Sequence, residues 1–377
     1  MAKLKAVFVV GTRPDAIKSA PVVREFMKFP AMVETVLVST GQHKEMLQQA
    51  LDTFELKSDF DLAVMRHGQT LAEVTSRVLS GLDEVISEQK PDIIFAQGDT
   101  TTTFVAGLAS FYRHIPFGHI EAGLRTDSIL DPFPEEFNRR AVSLFAALHF
   151  PPTAWAAENL RREGVADDKI FITGNTGIDA VRMISKGQTR EWFPEHKGRV
   201  VLLTTHRREN WGEPQERIAV AALEIVERFS DVFLVVPMHR NPDVRKLLER
   251  VLGGHDQIGL IEPPDYHEFV QLMERSDLVL TDSGGVQEEA PTFGIPVLVL
   301  RETTERPEGV LAGTAKLVGT DKDRIVAETS TLLSSQVAYE GMAQAVSPYG
   351  DGCASGRIRY ITLKHFGVES PKEEMWS

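Results

Sequence analysis

The chain holds one cysteine, Cys353, in 377 residues, which excludes intramolecular disulfides and cysteine-based zinc sites and suits a reducing cytoplasm. No uncharged apolar stretch approaches about 18 residues, so no membrane-spanning helix is expected. The basic start MAKLKAVFVVG resembles a signal peptide only in its charge. Its apolar run is short, ends in Gly-Thr-Arg-Pro, and reads as a first core strand. Positive charge is also scarce: 41 Lys and Arg face 54 Asp and Glu, a net charge of −13. That balance argues against a nucleic-acid partner, while leaving room for a local basic cleft that takes a small anion.

Several catalytic signatures are missing as well. No G-x-G-x-x-G follows a strand with an acidic partner downstream, since Gly350 and Gly352 lie in a late loop, so a tightly bound nicotinamide has no support. There is no Walker lysine, no H-E-x-x-H and no C-x-x-C, and the histidines lack metal-ligand spacing, so neither metal nor cofactor is expected. The G-x-S-x-G elbow of an acyl-enzyme is absent too.

What is present is a succession of short apolar, β-rich runs separated by helical stretches. Strands are expected at Lys5–Val10, Val33–Ser39, Ile93–Gln97, Phe117–Ile120 and Phe171–Thr173 in the first half. Val200–Thr205, Val232–Pro237, Ile258–Ile261, Leu278–Thr281 and Pro296–Leu300 follow in the second. Strands joined through helices require right-handed parallel crossovers, so each half is expected to be a doubly wound α/β sheet covered on both faces. The 377 residues correspond to two or three domains of ordinary size, and 42% apolar residues are enough for a core in each half. The boundary is expected at 173/174, near Gly174–Gly177. Lys186 to Lys197 reads as a polar loop and Ser370 to Ser377 as a frayed tail. No repeat or low-complexity tract occurs.

Polar residues gather where these strands end, the place where open parallel sheets bind ligands. In SDLVLTDSGGVQEEAPTFGIPVLVL a strand stops at Thr281-Asp282 and a Ser-Gly-Gly turn opens an acidic helix. Ser283, Gly284 and Gly285 fit a diphosphate cradle at a helix start near Val286, and Glu288 or Glu289 one turn in fits a ribose; a ligand-free βα turn is the other reading. The first strand enters Gly11-Thr12-Arg13-Pro14, so Arg13 and Lys18 either face an anion or solvate a helix start. Asp99 and Glu121 end successive strands. Glu135 and Glu136 open the next helix, where ordinary favourable charge near a helix N-terminus also explains them. In the second half His206, Arg207 and His239 end strands, as phosphate-neutralising and proton-transfer groups or as side-chain caps.

Ten collinear motifs then carry a resemblance over nearly the whole chain: GTRPDAIKSAPV, TGQHKEML, QGDTTTT, HIEAGLRT, PFPEEFNRR, TGNTGIDA, HRREN, HRNP, SDLVLTDSGGVQEEAP and RETTERPEG. Together they resemble the non-hydrolysing UDP-N-acetylglucosamine 2-epimerases. The resemblance implies a GT-B fold of two Rossmann-like domains facing a cleft, with a C-terminal helix of about 355–377 returning to the first domain, commonly as a homodimer. It implies interconversion of UDP-GlcNAc and UDP-ManNAc, by loss of UDP to 2-acetamidoglucal and its re-addition, feeding surface polysaccharide synthesis. By resemblance Asp99 and Glu121 move the proton at carbon 2, Glu135 assists departure at carbon 1 and His206 stabilises the leaving UDP. Arg13, Lys18, Ser283, Gly284 and Gly285 take the diphosphate, joined by Arg207 and His239, while Glu289 holds the ribose.

Two positions depart from the family pattern. Asp15 replaces the glutamate usual in GTRPEA, at a position expected to support the turn. Some members bind a second UDP-GlcNAc as activator through a Gln-His loop, which Gln42 and His43 retain, and an arginine, where this chain has Gly68. Glu45 would also repel a phosphate there, so weak activation is expected. A hydrolysing relative, an inverting GT-B glycosyltransferase and a non-catalytic nucleotide-sugar sensor are the alternative readings.

Overall fold

The computed structural model describes residues 3–41, 44–66, 68–186 and 192–376. Gln42, His43 and residues 187–191 of the segment after Lys186 therefore lie outside the described residues. The chain divides into two compact units, one of residues 1–180 with 349–377 and one of residues 181–348. The first unit thus gains the start of the helix Thr176–Ser185, which the sequence reading assigned to the second. A physical reason is on that helix: Asp179 is buried and accepts from the backbone N–H groups of Ala354 and Ser355 at 3.2 and 2.8 Å. It thereby caps the C-terminal helix Ala354–His365 from a distant part of the chain.

In the first unit the strands are β1 Leu4–Val10, β2 Val33–Ser39, β3 Phe60–Asp61, β4 Ile93–Gln97, β5 Phe117–Ile120 and β6 Leu148–Phe150. They form one sheet in the order β3-β2-β1-β4-β5-β6, parallel in every pairing. The second unit holds β7 Arg199–Thr204, β8 Val232–Pro237, β9 Ile258–Ile261, β10 Leu278–Thr281, β11 Val297–Val299 and β12 Ala315–Leu317. Its order, β12-β11-β10-β7-β8-β9, is the same doubly wound pattern repeated. This is the two-domain, Rossmann-like α/β architecture of the GT-B class.

Both faces of each sheet are covered, so the strands read as unbroken apolar runs rather than alternating ones. Side chains still alternate. In the second unit Val201, Leu203, Leu234, Val236, Leu278 and Leu280 build one buried layer, while Val200, Leu202, Phe233, Val235 and Val279 build the other. In the first unit Val7 and Val9 face one layer. Phe8 points the opposite way and stacks on Phe95, with ring centroids 4.7 Å apart, and meets Phe26 edge-on.

Three expectations need correction. Phe171–Thr173 is not a strand; β6 takes that edge, and only a single bridge joins His149 to Ile170. The very short edges β3, β6 and β12 escaped notice because two or three residues carry no readable period. The tail is also tied down: Glu373 pairs with the buried Arg359 at 2.9 Å and the Glu374 carbonyl accepts from Arg357 at 2.5 Å. Among the described residues no helix is long and apolar enough to cross a membrane.

Two buried histidines sit side by side where β5 pairs with β6, His119 opposite His149. The His119 Nε2 lies 2.7 Å from the Gly98 carbonyl, next to Asp99. Burial, above all, pushes His119 down to about 4, and burial with the neighbouring His119 pushes His149 down to about 3. Both values are depressed below an unfolded value of about 6.5. The stability they confer is therefore full above about pH 6.5 and is lost as the pH falls toward those folded values. We expect His119→Gln, which keeps a donor for the Gly98 carbonyl, to remove roughly 3 kcal/mol of this pH dependence. Urea unfolding between pH 7 and 4 checks it: an acid limb as steep as in the parent chain would rule the assignment out.

Candidate active site

Each sheet changes winding direction between two central strands, β1 and β4 in the first unit, β7 and β10 in the second. The loops leaving those strands diverge and open a crevice at the carboxyl edge. The sequence-predicted residues fall at these two places.

In the first unit β1 runs into Gly11, packed so closely against the start of the helix Thr101–Tyr112 that a Cβ there would lie 2.1 Å from Thr102 Oγ1. Thr12 then caps the helix Arg13–Met27, with Asp15 completing a capping box. Asp15 is buried and accepts from the N–H groups of Gly11 and Thr12 at 3.3 and 3.1 Å and from Thr100 Oγ1 at 3.1 Å. It ties the β1 loop to the residue after Asp99, the support expected of it. Burial raises its pKa to about 6, against the hydrogen bonds from Thr12.

Gly98, with φ +75°, turns the chain out of β4 and presents Asp99. Arg139 lies 3.1 Å from the Asp99 carboxylate, whose backbone carbonyl accepts from Asn138 Nδ2 at 2.9 Å. Burial raises the Asp99 carboxyl above its ordinary range; Arg139 opposes that, and the charges of Glu121 and Glu135 add to it. Glu121 leaves β5 in the left-handed region at φ +61°, a strained conformation for a residue with a side chain. Its carboxylate receives Lys18, Gln97 Nε2 and, at 3.2 Å, Asn175 Nδ2. Lys18 thus sits on the acidic cluster. Arg13 is half-buried at the start of its helix, with no hydrogen bond or ion pair among the described residues.

The two glutamates of PFPEEFNRR separate sharply. Glu136 is fully buried and bound by Arg139 at 2.6 Å, Arg140 at 2.5 Å and the Thr126 N–H at 3.0 Å, so it locks the helix Glu135–Ser143 in place. Glu135 is half-buried, and its charge is felt at Asp99.

In the second unit Asp282 follows β10 and is completely buried. It accepts from Thr205 Oγ1 at 3.1 Å, the His206 N–H at 3.1 Å, the Arg207 N–H at 3.0 Å and Asn210 Nδ2 at 3.0 Å. His206 Nδ1 stands 3.1 Å from the same carboxylate, with 44% of that side chain exposed. Burial alone would raise the Asp282 pKa, yet the His206 ring and the two backbone N–H groups hold it below the usual range. His239 lies near, its ring 6.3 Å from that of Trp211. Burial, with the charge of His206 next, lowers its pKa.

Ser283 caps the helix Gly284–Glu289, which begins two residues before Val286. Neither Gly284 nor Gly285 has a positive φ, so the backbone itself does not demand glycine there. What glycine provides is bare N–H groups. A Cβ on Gly284 would lie 3.7 Å from Arg207 Nη2 and 3.8 Å from Arg306 Nη2, so two guanidinium groups flank this helix start. Arg306 also pairs with buried Glu288, which leaves Glu289 as the accessible carboxylate, oriented by Tyr266 Oη at 3.0 Å. The arrangement suits a diphosphate with a ribose beyond it.

Sequence reasoning missed Arg139, Gln97, Asn175, Asp282, Arg306 and Tyr266 as participants. Five of them stand inside the quoted motifs and were signalled there. Tyr266 had no signal. Among the described residues no group of three or more His, Cys, Asp or Glu is arranged to hold a metal ion.

Two doubly wound sheets with an acidic cluster at one switch point and an arginine-flanked helix start at the other define a two-domain nucleotide-binding class of α/β protein. The sequence profile of the UDP-N-acetylglucosamine 2-epimerases matches residues 27–362, and the chain belongs to that family. It is similar to the UDP-N-acetylglucosamine 2-epimerase of Bacillus subtilis, 48% identical over 379 residues and 100% of both chains. The Escherichia coli K12 enzyme is 48% identical over 366 residues, 94% of this chain and 97% of that one. The crystal structure of the Neisseria meningitidis UDP-GlcNAc 2-epimerase bound to UDP-GlcNAc superposes with a TM-score of 0.86 at 45% identity, covering 96% of this chain and all of that one.

Removing Arg306 while keeping Glu288 takes a charged partner away from a buried carboxylate. We expect Arg306→Ala to cost about 3 kcal/mol and the further change Glu288→Ala to return most of it. Chemical denaturation of the two variants measures this. Equal instability of the single and double variants would show that the pair is not the origin of the loss.

Proposed function

We propose that this protein interconverts UDP-GlcNAc and UDP-ManNAc by elimination and re-addition of UDP. The observation that carries the reading is the cluster at the ends of β4 and β5: Asp99 with a raised pKa, beside Glu121 held by Lys18, Gln97 and Asn175. Two neighbouring carboxylates at the ends of adjacent strands, each held by its own partners, supply the pair of groups that acid–base chemistry on two faces of a sugar requires. The Neisseria relative, which carries UDP-GlcNAc in its crystal structure, supports the choice of substrate.

The reaction runs as follows. Carbon 2 has no adjacent carbonyl, so its proton cannot simply be removed and returned. A carboxylate of the Asp99–Glu121 pair takes that proton while the carbon 1–oxygen bond breaks. The C–H electron pair becomes the carbon 1–carbon 2 double bond of 2-acetamidoglucal, and UDP departs with the pair of the broken bond. Glu135 assists at carbon 1 and His206 stabilises the departing UDP. Arg13, Arg207, His239, the Ser283 hydroxyl and the N–H groups of Gly284 and Gly285 hold its diphosphate, and Glu289 its ribose. The second carboxylate then protonates carbon 2 from the other face and UDP re-adds at carbon 1. The route is redox-neutral and calls for no nicotinamide.

On this reading the enzyme works in the cytoplasm, as a homodimer, upstream of cell-surface polysaccharide assembly. A soluble nucleotide-sugar substrate and the single exposed cysteine agree with that setting.

Proton NMR of UDP-GlcNAc with the protein in deuterated water tests the reaction. We expect the carbon 2 proton signal to vanish as UDP-ManNAc resonances appear, and Asp99→Asn and Glu121→Gln to slow this by about 10²- to 10⁴-fold. Free ManNAc with UDP would move the protein to a hydrolysing class. An unchanged spectrum would favour a transferase or a sensor.

Gly68, with φ +73° and no atom within 4 Å of an added Cβ, offers no arginine to an activator. Trace UDP-GlcNAc added to the reverse reaction should therefore accelerate it little, and a sigmoidal substrate curve that the addition abolishes would contradict this.

A further inference from the structure

From the geometry around β10 we infer that Asp282 is the positioning residue of His206: it takes the ring's Nδ1–H and leaves Nε2 as the working atom. The assignment of the tautomer stands on the geometry alone, and its catalytic consequence rests on the reaction proposed above.

Asp282 has no exposed surface, while 44% of the His206 side chain is accessible. One oxygen, Oδ2, faces N–H or O–H donors from Thr205, His206, Arg207 and Asn210 at 3.0 to 3.1 Å. The Asn210 amide that makes one of these bonds also donates to the Leu300 carbonyl at 3.1 Å, anchoring it to the end of the next strand. Oδ1 is the atom nearest the His206 ring nitrogen, at 3.1 Å. A carboxylate with every other direction filled by donors can only accept from that nitrogen. The proton of a neutral ring therefore sits on Nδ1, and Nε2 points away from the protein core.

The same carboxylate lies directly against the ring, 3.1 Å from Nδ1, and supplies the counter-charge when Nε2 carries a proton and acts as a charged donor. Other charged or titratable groups bear on the ring too. His239 repels its positive charge, and the Arg207 guanidinium follows in the chain beside Gly284. Asp282 is the group that compensates them at contact distance. A charged Nε2–H is what a departing diphosphate needs, because negative charge develops on the oxygen as the carbon 1 bond breaks.

Replacement by asparagine reverses the hydrogen bond without changing the shape. The four donors retain the amide oxygen, so the amide NH2 turns to the ring and donates to Nδ1. The ring proton is then forced onto Nε2, and the cation loses its counter-charge.

Nitrogen NMR of the ligand-free full-length protein, labelled in histidine and assigned by difference from His206→Gln, reads the tautomer without any turnover. The wild type should show a protonated Nδ1 above the ring's pKa, and Asp282→Asn a protonated Nε2. In steady-state kinetics Asp282→Asn should lower kcat about 100-fold with KM changed less than about threefold, and the alkaline limb of the kcat profile should move to lower pH. Thr205→Val removes another donor to the same carboxylate and keeps the ring contact, so it should leave the pH profile where it was. A wild-type ring protonated on Nε2 overturns the inference. So does an Asp282→Asn protein with the wild-type tautomer and profile. If Asp282→Asn does not fold, the wild-type tautomer alone decides. An absence of carbon 2 exchange in the wild type would remove the proposed reaction and leave the Asp282 assignment to the NMR result.

Discussion

Strands buried on both faces have no free surface along their length, so the chemistry of this protein is confined to the carboxyl edges of its two sheets. That constraint explains where its charged side chains are. β1 and β4 deliver Gly11 to Asp15 and Gln97 to Asp99 to one switch point, and β7 and β10 deliver His206, Arg207, Asp282 and Ser283 to the other. The apolar layers below them, built from residues such as Phe8, Phe95, Leu203 and Leu280, set the height and spacing of these loops.

Charge brought to such an edge has to be compensated, because a carboxylate shielded from water is costly without donors. The structure meets this in three ways. Asp282 and Asp15 are satisfied mainly by backbone N–H groups and hydroxyls, and each holds a turn in shape. Glu136 and Glu288 are satisfied by arginines that belong to the same local frame. Glu121 is satisfied by Lys18, Gln97 and Asn175, side chains from three separate segments, and it accepts a left-handed backbone besides. A strained residue supported from so many directions is characteristic of a site where geometry is held for function.

Much of this could be read from the chain before any coordinates. Alternation of apolar runs with helical stretches predicted two doubly wound domains, and nine of the expected strands coincide with observed ones to within about two residues. The run Phe171–Thr173 failed because its apolar character serves packing beside β6 rather than a strand of its own. The expected site residues were placed by a local rule, that polar residues following a strand lie at its carboxyl end. Their partners were not. Nothing in the spacing of Tyr266 and Glu289, or of Asn175 and Glu121, announces contact, since those pairs are made by the fold and not by neighbouring positions in the chain.

The adjacent glutamates 135 and 136 show the division most clearly. Sequence determined that both open one helix, that the chain is rich in acid, and that its strands must be parallel and covered, because these follow from composition and local periodicity. Tertiary structure alone decided that Glu136 is enclosed by Arg139, Arg140 and the Thr126 N–H, while Glu135 stays half-buried with its charge felt at Asp99. It likewise decided that Asp282 meets His206 and that Lys18 meets Glu121. Burial and opposing charge depend on what arrives from elsewhere in the chain, and these two quantities separate a structural carboxylate from one left available for chemistry.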